Sequence, residues 1–269
     1  MKSHDFGQFL FNSAAFDKDQ LDEIIKLARK SEPTLATESV FLQLVEASEL
    51  TQTDDEFVHT LITPRQAARA LELKDGQSLY LAQALIDNGI ADYFQLETLL
   101  EKYDKLEIPP IESALSAYYE GLKDCPDIDF PFAVDVINTF HSFLSESLKT
   151  TIIILPPSDC RLNKQTGASV KIIGEIPVVV AMFADENVFM ELAQRYDGYV
   201  ETVEDAHDAI SELLNVFTGH FTVKIAVTKG LEEVPEPPRY GSIINISCIT
   251  MMADIGTFYV YIGKNEIFD

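Results

Sequence analysis

Between Thr202 and Phe221 the chain reads TVEDAHDAISELLNVFTGHF, a pattern that fits only a helix lying on a core. At about 100° per residue, Ala206, Ile210, Leu213, Leu214, Phe217 and Phe221 fall on one side. Asp208, Glu212, Asn215 and Gly219 fall on the opposite side, within a wedge of roughly 60°. Thr202 with Asp205 three residues later is an N-cap signal, and Glu204 and Asp205 crowd a first turn where the helix dipole favours acids. The outward stripe by itself reads equally well as a solvated helix face. Gly219 is the unusual member. Glycine is costly inside a helix, and here it removes a side chain where another backbone would approach.

Downstream, 22 residues separate Asn215 from Pro238. Asp208-x3-Glu212-x2-Asn215-x22-Pro238 resembles the signature of the CheX/CheC/FliY family of chemotaxis phosphatases, [Asp/Ser]-x3-Glu-x2-Asn-x22-Pro. All four positions match at full spacing, and the similarity in pattern runs from Asp127 to the C-terminus. The resemblance implies a substrate, the aspartyl phosphate of a response-regulator receiver domain in chemotaxis or related two-component signalling. It implies catalytic roles for Asn215, which would orient the attacking water, and Glu212, which would pair with a receiver lysine. Asp208, Gly219 and Pro238 would belong to the partner-binding face. The chain would need no cofactor of its own and no resident metal, because the receiver brings Mg²⁺. A homodimer through sheet edges is implied for one family branch, with Ser242–Met251 and Thr257–Ile262 as the strands offered for it. A second reading uses the same face: a non-catalytic receiver-binding adaptor that docks a secretion, pilus or motility complex.

Other chemistries find no support in the residues. The net charge of −24 divides evenly about position 125, with no Lys/Arg cluster on either side, which excludes a nucleic-acid or anionic-membrane binder. The five histidines show no metal-ligand spacing, and no phosphate loop, dinucleotide fingerprint or G-x-S-x-G turn is present. Cys125, Cys160 and Cys248 are few, distant and odd in number, which suits a reducing compartment. No apolar run is long enough to span a bilayer, and MKSHDFGQFLF lacks a signal-peptide core. A cytoplasmic location is expected.

Residues 1–125 are expected to form an all-helical docking domain. Asp19–Ile25 and Phe94–Leu100 share a pattern at an offset of 75, each preceded by an apolar helix and followed by a proline-containing break, which suggests an internal duplication. Thr63 and Pro64 open a further helix, and Gly89 closes the one containing Tyr80. This half resembles the N-terminal helical domain of type II secretion and pilus ATPases. Tyr80-Leu81-Ala82 stands where some of those domains carry the Arg-Leu-Gly that binds a cyclic dinucleotide, so nucleotide binding does not carry over.

Residues 126–269 are expected to form an α+β domain, a sheet covered by two or three helices. A helix over 111–123 precedes the boundary near 125, and Phe130–Leu148 is amphipathic. Its Asp135-x2-Asn138 echoes the Glu-x2-Asn pair with a shorter acid and with Pro131 ahead of it, and it reads as a vestige or a coincidence. Strands are expected at Thr151–Leu155, Ser169–Ile173, Val178–Ala184, Thr222–Thr228, Ser242–Met251 and Thr257–Ile262, the last two joined as a hairpin, with a helix near Glu186–Tyr196.

Overall fold

The computed structural model describes residues 5–66, 76–121, 128–157, 165–243 and 247–268. The chain forms two compact units, one taking residues up to Pro110 together with Lys149–Thr151, the other Ile111–Leu148 and Ile152 onwards.

The first unit is helical throughout its described residues: α1 (Phe6–Asn12), α2 (Lys18–Ala28), α3 (Leu35–Phe41), α4 (Asp55–Leu61), α5 (Gln77–Asp87) and α6 (Tyr93–Asp104), with a 3₁₀ turn at Ala47–Glu49. Leu10, Leu21, Ile25, Leu81, Leu85 and Leu96 are buried. The two segments at an offset of 75 open on the same capping box, Asp17 with Gln20 at α2 and Asp92 with Gln95 at α6. Thr63 caps the turn that Pro64 opens, as the sequence predicts: the Gln66 N–H donates to its hydroxyl at 3.3 Å, and its own N–H donates to the Gln66 side-chain oxygen at 2.8 Å. Gly89 follows α5 in the left-handed conformation, at φ +62°.

The second unit begins earlier than position 125. Helix α7 (Pro110–Gly121) belongs to it, because Ile111, Leu115 and Tyr118 are buried in its core. The Tyr118 hydroxyl donates to the Leu155 carbonyl at 2.7 Å and accepts the Thr250 N–H at 2.9 Å. Polar and apolar groups of α7 are therefore both satisfied inside this unit. Then come α8 (Phe130–Leu148), β1 (Ile153–Ile154), β2 (Gln165–Gly174), β3 (Val178–Ala184), α9 (Glu186–Asp197), α10 (Val203–Lys229), β4 (Glu233–Pro235), β5 (Arg239–Ile243), β6 (Ile249–Ala253) and β7 (Gly256–Gly263).

Among the described residues the strands make one antiparallel sheet, in the order β1-β6-β7-β3-β2-β4, with β5 also paired to β2. The architecture is α+β. Alternate residues of the inner strands (Val170 and Ile172, Val180 and Met182, Phe258 and Val260) enter the main core with α7 to α10. The opposite face carries a smaller cluster of Ala181, Phe183 and Phe268.

Two strand expectations need correction. Thr222–Thr228 is helix, the last turns of α10. Its β-branched residues carry a weak strand preference, outweighed by the core burial of Phe221 and Ile225 at helical spacing. Ser242–Met251 is not one strand: β5 pairs with β2, while β6 pairs with β7 and β1. Of the strands offered for a homodimer edge, β7 lies between β6 and β3, β6 pairs with β7 and, through Met251 and Met252, with β1, and Ser242 and Ile243 lie on β5, which pairs with β2.

The edge of the sheet beside β2 is broken. Ile172 pairs with Pro235 and Ser169 with Arg239, so Glu236, Pro237 and Pro238 together oppose Val170 and Lys171. That is a bulge of one extra residue, where prolines are tolerated because the ladder is interrupted. Only the Glu236 N–H still reaches across, to the Lys171 carbonyl at 2.7 Å.

Candidate functional site

Helix α10 is fixed along its whole buried side. Ala206, Ile210, Leu213, Leu214, Phe217 and Phe221 are all fully buried, as their spacing predicts. Phe140 meets Phe217 edge-on at 4.7 Å and Phe132 meets Phe221 at 5.9 Å, which locks α8 against α10. The start is capped reciprocally: the Asp205 N–H donates to the Thr202 hydroxyl at 3.2 Å and the Thr202 N–H to the Asp205 carboxylate at 2.8 Å. The hydrogen bonds from the Thr202 hydroxyl and N–H hold the Asp205 carboxyl below its usual range. The far end stops at Gly230, at φ +70°.

His207 ties the first turns of the helix to the sheet. Its Nε2 lies 3.1 Å from the Thr166 hydroxyl of β2, and its ring stacks on Tyr240 of β5 at 4.7 Å. Burial lowers its pKa, and the neighbouring Asp208 carboxylate opposes that shift.

The opposite face of α10 is open. Asp208, Glu212 and Asn215 are exposed and Gly219 is half-buried. Asn215 Nδ2 stands 3.5 Å from Glu212 Oε2, the outer limit of a hydrogen bond. The two groups are therefore side by side but not locked together, and both retain hydrogen-bonding capacity for a ligand. A Cβ built at Gly219 would meet nothing within 4 Å. No packing inside the unit requires glycine there.

Pro238 lies on a different element, in the bulge of the edge strand. The strand reaches from Tyr240, stacked on His207, back to β4, which also packs against α10. The bulge lies between two strands that both contact α10. Glu212 and Asn215 are brought together, Asp208 and Gly219 extend their stripe by a turn in each direction, and Pro238 stands apart from them in the edge strand.

Two features escape sequence reasoning. Burial, followed by the Glu212 and Asp197 carboxylates, pushes up the pKa of Tyr196 on α9, so its hydroxyl stays protonated near Glu212. Beyond Gly219 the stripe continues as exposed Val223 and Val227; extending the helical period past Phe221 would have found them. The Asp135/Asn138 echo is engaged structurally: the Asp135 carboxylate pairs with Lys229. Among the described residues no cluster of His, Cys, Asp and Glu could hold a metal ion, and no helix is long and apolar enough to cross a membrane.

No family model matches the sequence, and no curated protein matches it. Among solved structures, about half of the chain is similar to CheX/CheC-like chemotaxis proteins. The chemotaxis protein CheX of Vibrio vulnificus is 17% identical, with 49% of this chain and 95% of that chain covered at a TM-score of 0.41. A CheC-like superfamily protein of Shewanella is 18% identical over 50% of this chain and 97% of its own, at 0.40. The CheX–CheY–BeF₃–Mg²⁺ complex of Borrelia burgdorferi matches at 15% identity, 49% and 96% coverage, and 0.37.

Proposed function

We propose that the second unit accelerates hydrolysis of an aspartyl phosphate on a receiver domain that docks against the outward face of α10. The observation that carries this reading is the juxtaposition of Glu212 and Asn215, exposed and one turn apart on a helix held rigid behind them. The signature spacing from Asp208 through Pro238 supports it.

An acyl phosphate is already reactive, so the catalyst's task is to place a water in line with the leaving carboxylate. The Asn215 amide suits this because it offers both a donor and an acceptor without needing a particular pH. Water oxygen bonds to phosphorus as the phosphorus–carboxylate bond breaks; the receiver's aspartate and inorganic phosphate leave, with the water's proton passing to phosphate or solvent. Glu212 pairs with a cation of the receiver and fixes the register. The divalent cation is the receiver's, and this chain contributes no cofactor.

Asn215→Ala tests the assignment. Alanine is the better helix former and the site is exposed, so folding and receiver binding should survive while accelerated phosphate loss disappears. A variant that dephosphorylates a phosphorylated receiver as fast as the parent overturns the catalytic role. A parent that binds the receiver without shortening the lifetime of its phosphate is an adaptor instead.

A further inference from the structure

Past Gly219 the outward face of α10 changes chemistry. Val223, Ala226 and Val227 continue the angular stripe of Glu212, Asn215 and Gly219, and all three are exposed, Val223 at 65% and Val227 at 82%. Exposed β-branched residues add neither helix propensity nor core packing. Nothing within the unit accounts for them. They stand about 12 and 18 Å along the axis from Asn215. Val234 of β4, a strand that contacts α10, is exposed as well.

We propose that α10 carries one docking face in two parts. Glu212 and Asn215 meet the reacting end of the partner, and Val223 with Val227 anchors an apolar patch of that same partner, 12–18 Å away by about 1.5 Å per residue. Gly219 is the step between them, where the partner's backbone crosses. This rests on the function proposed above and adds where the affinity comes from.

Three observations favour the phosphorylated receiver as occupant. A stable interface covers about 800 Å² on each side, so a partner seated on Glu212 and Asn215 extends far enough to reach the valines. A single exposed carboxylate paired with a cation contributes little affinity in water, so a partner held at this face draws its affinity from apolar burial close by. A second copy of this chain is the less suitable occupant: it carries the same −24 charge, and the sheet edge flanking the helix is interrupted by Pro237 and Pro238.

The experiment compares the full chain with Val223→Asp/Val227→Asp, using receiver domains from the same genome phosphorylated with phosphoramidate. The double variant should raise the half-saturating receiver concentration by about ten-fold or more while leaving the rate at saturation unchanged. Should aspartate disturb the helix by circular dichroism, Val223→Ser/Val227→Ser takes its place. Unchanged half-saturation, with acceleration by the parent intact, overturns the anchoring face and leaves the proposed function standing. Where the parent accelerates nothing, titration of beryllofluoride-loaded receivers decides: weaker binding by the double variant upholds the face without the hydrolysis, and no binding by the parent overturns both. Sedimentation of a dimeric parent and a monomeric double variant overturns the proposal in favour of a second copy.

Discussion

At the scale of residues, the two members of the motif pair should separate in their kinetics. Glu212→Ala removes one side of a charge-assisted contact and should weaken receiver docking by roughly 1–3 kcal/mol. Its defect should recover at high receiver concentration, whereas that of Asn215→Ala should not, and a concentration series of both variants checks this. Gly219 gives a sharper contrast. Because a Cβ there meets nothing within 4 Å, Gly219→Ala should stabilise the unit by roughly 0.5–1 kcal/mol in thermal or denaturant unfolding. The same substitution should slow dephosphorylation, since the added methyl stands where the partner's backbone passes. A variant more stable than the parent and equally active removes Gly219 from the docking face. The outward stripe of Asp208, Glu212, Asn215 and Gly219 was legible because helical period alone assigns faces. Tyr196 was not, because its nearness to Glu212 depends on how α9 lies beside α10.

At the scale of elements, α10 runs for 27 residues, beyond the point where its sequence turns β-branched. Thr222 to Thr228 reads as strand when taken alone; core contacts of Phe221 and Ile225, with Gly230 as the stop, keep it helical. Local propensity is a weak term that burial overrides. The start of the helix is held to β2 and β5 through His207, which makes the element's attachment sensitive to pH. The folded-state pKa of His207 is depressed, so the unfolded chain takes up the proton first as the pH falls below about 6.5. The stabilisation is fully present above that value and is lost as the pH falls through the folded-state pKa. His207→Gln should therefore flatten the decline in melting temperature between about pH 7.5 and 5.5. An unchanged slope places the pH dependence elsewhere.

At the scale of the molecule, the position of α7 decides where the chain can be cut. A fragment of residues 111–269 keeps Ile111, Leu115 and Tyr118 in the core and should fold alone, as judged by a cooperative thermal transition. A fragment starting at 126 loses those side chains and the Tyr118 hydroxyl that joins Leu155 to Thr250, and it should melt markedly lower or not fold. Equal stability of the two fragments contradicts the boundary at Pro110. Composition put the boundary near 125, where prolines and acids gather. Such a run marks a break in the helix but does not say which core the helix before it joins.

By itself the sequence determined the helical first half, the buried and outward faces of the motif helix, its cap, and the Glu212–Asn215 pair with Pro238 at its spacing. These are periodic or local properties, fixed by 100° of rotation per residue and by side chains three or four positions apart. The order of the strands was decided only in three dimensions. So were the splitting of Ser242–Met251 between β5 and β6, the bulge that holds Pro238 in the edge strand and the union of α7 with the second core. Each depends on contacts between residues distant in the chain, where partners are chosen by the joint packing of a whole core and no single segment carries the information.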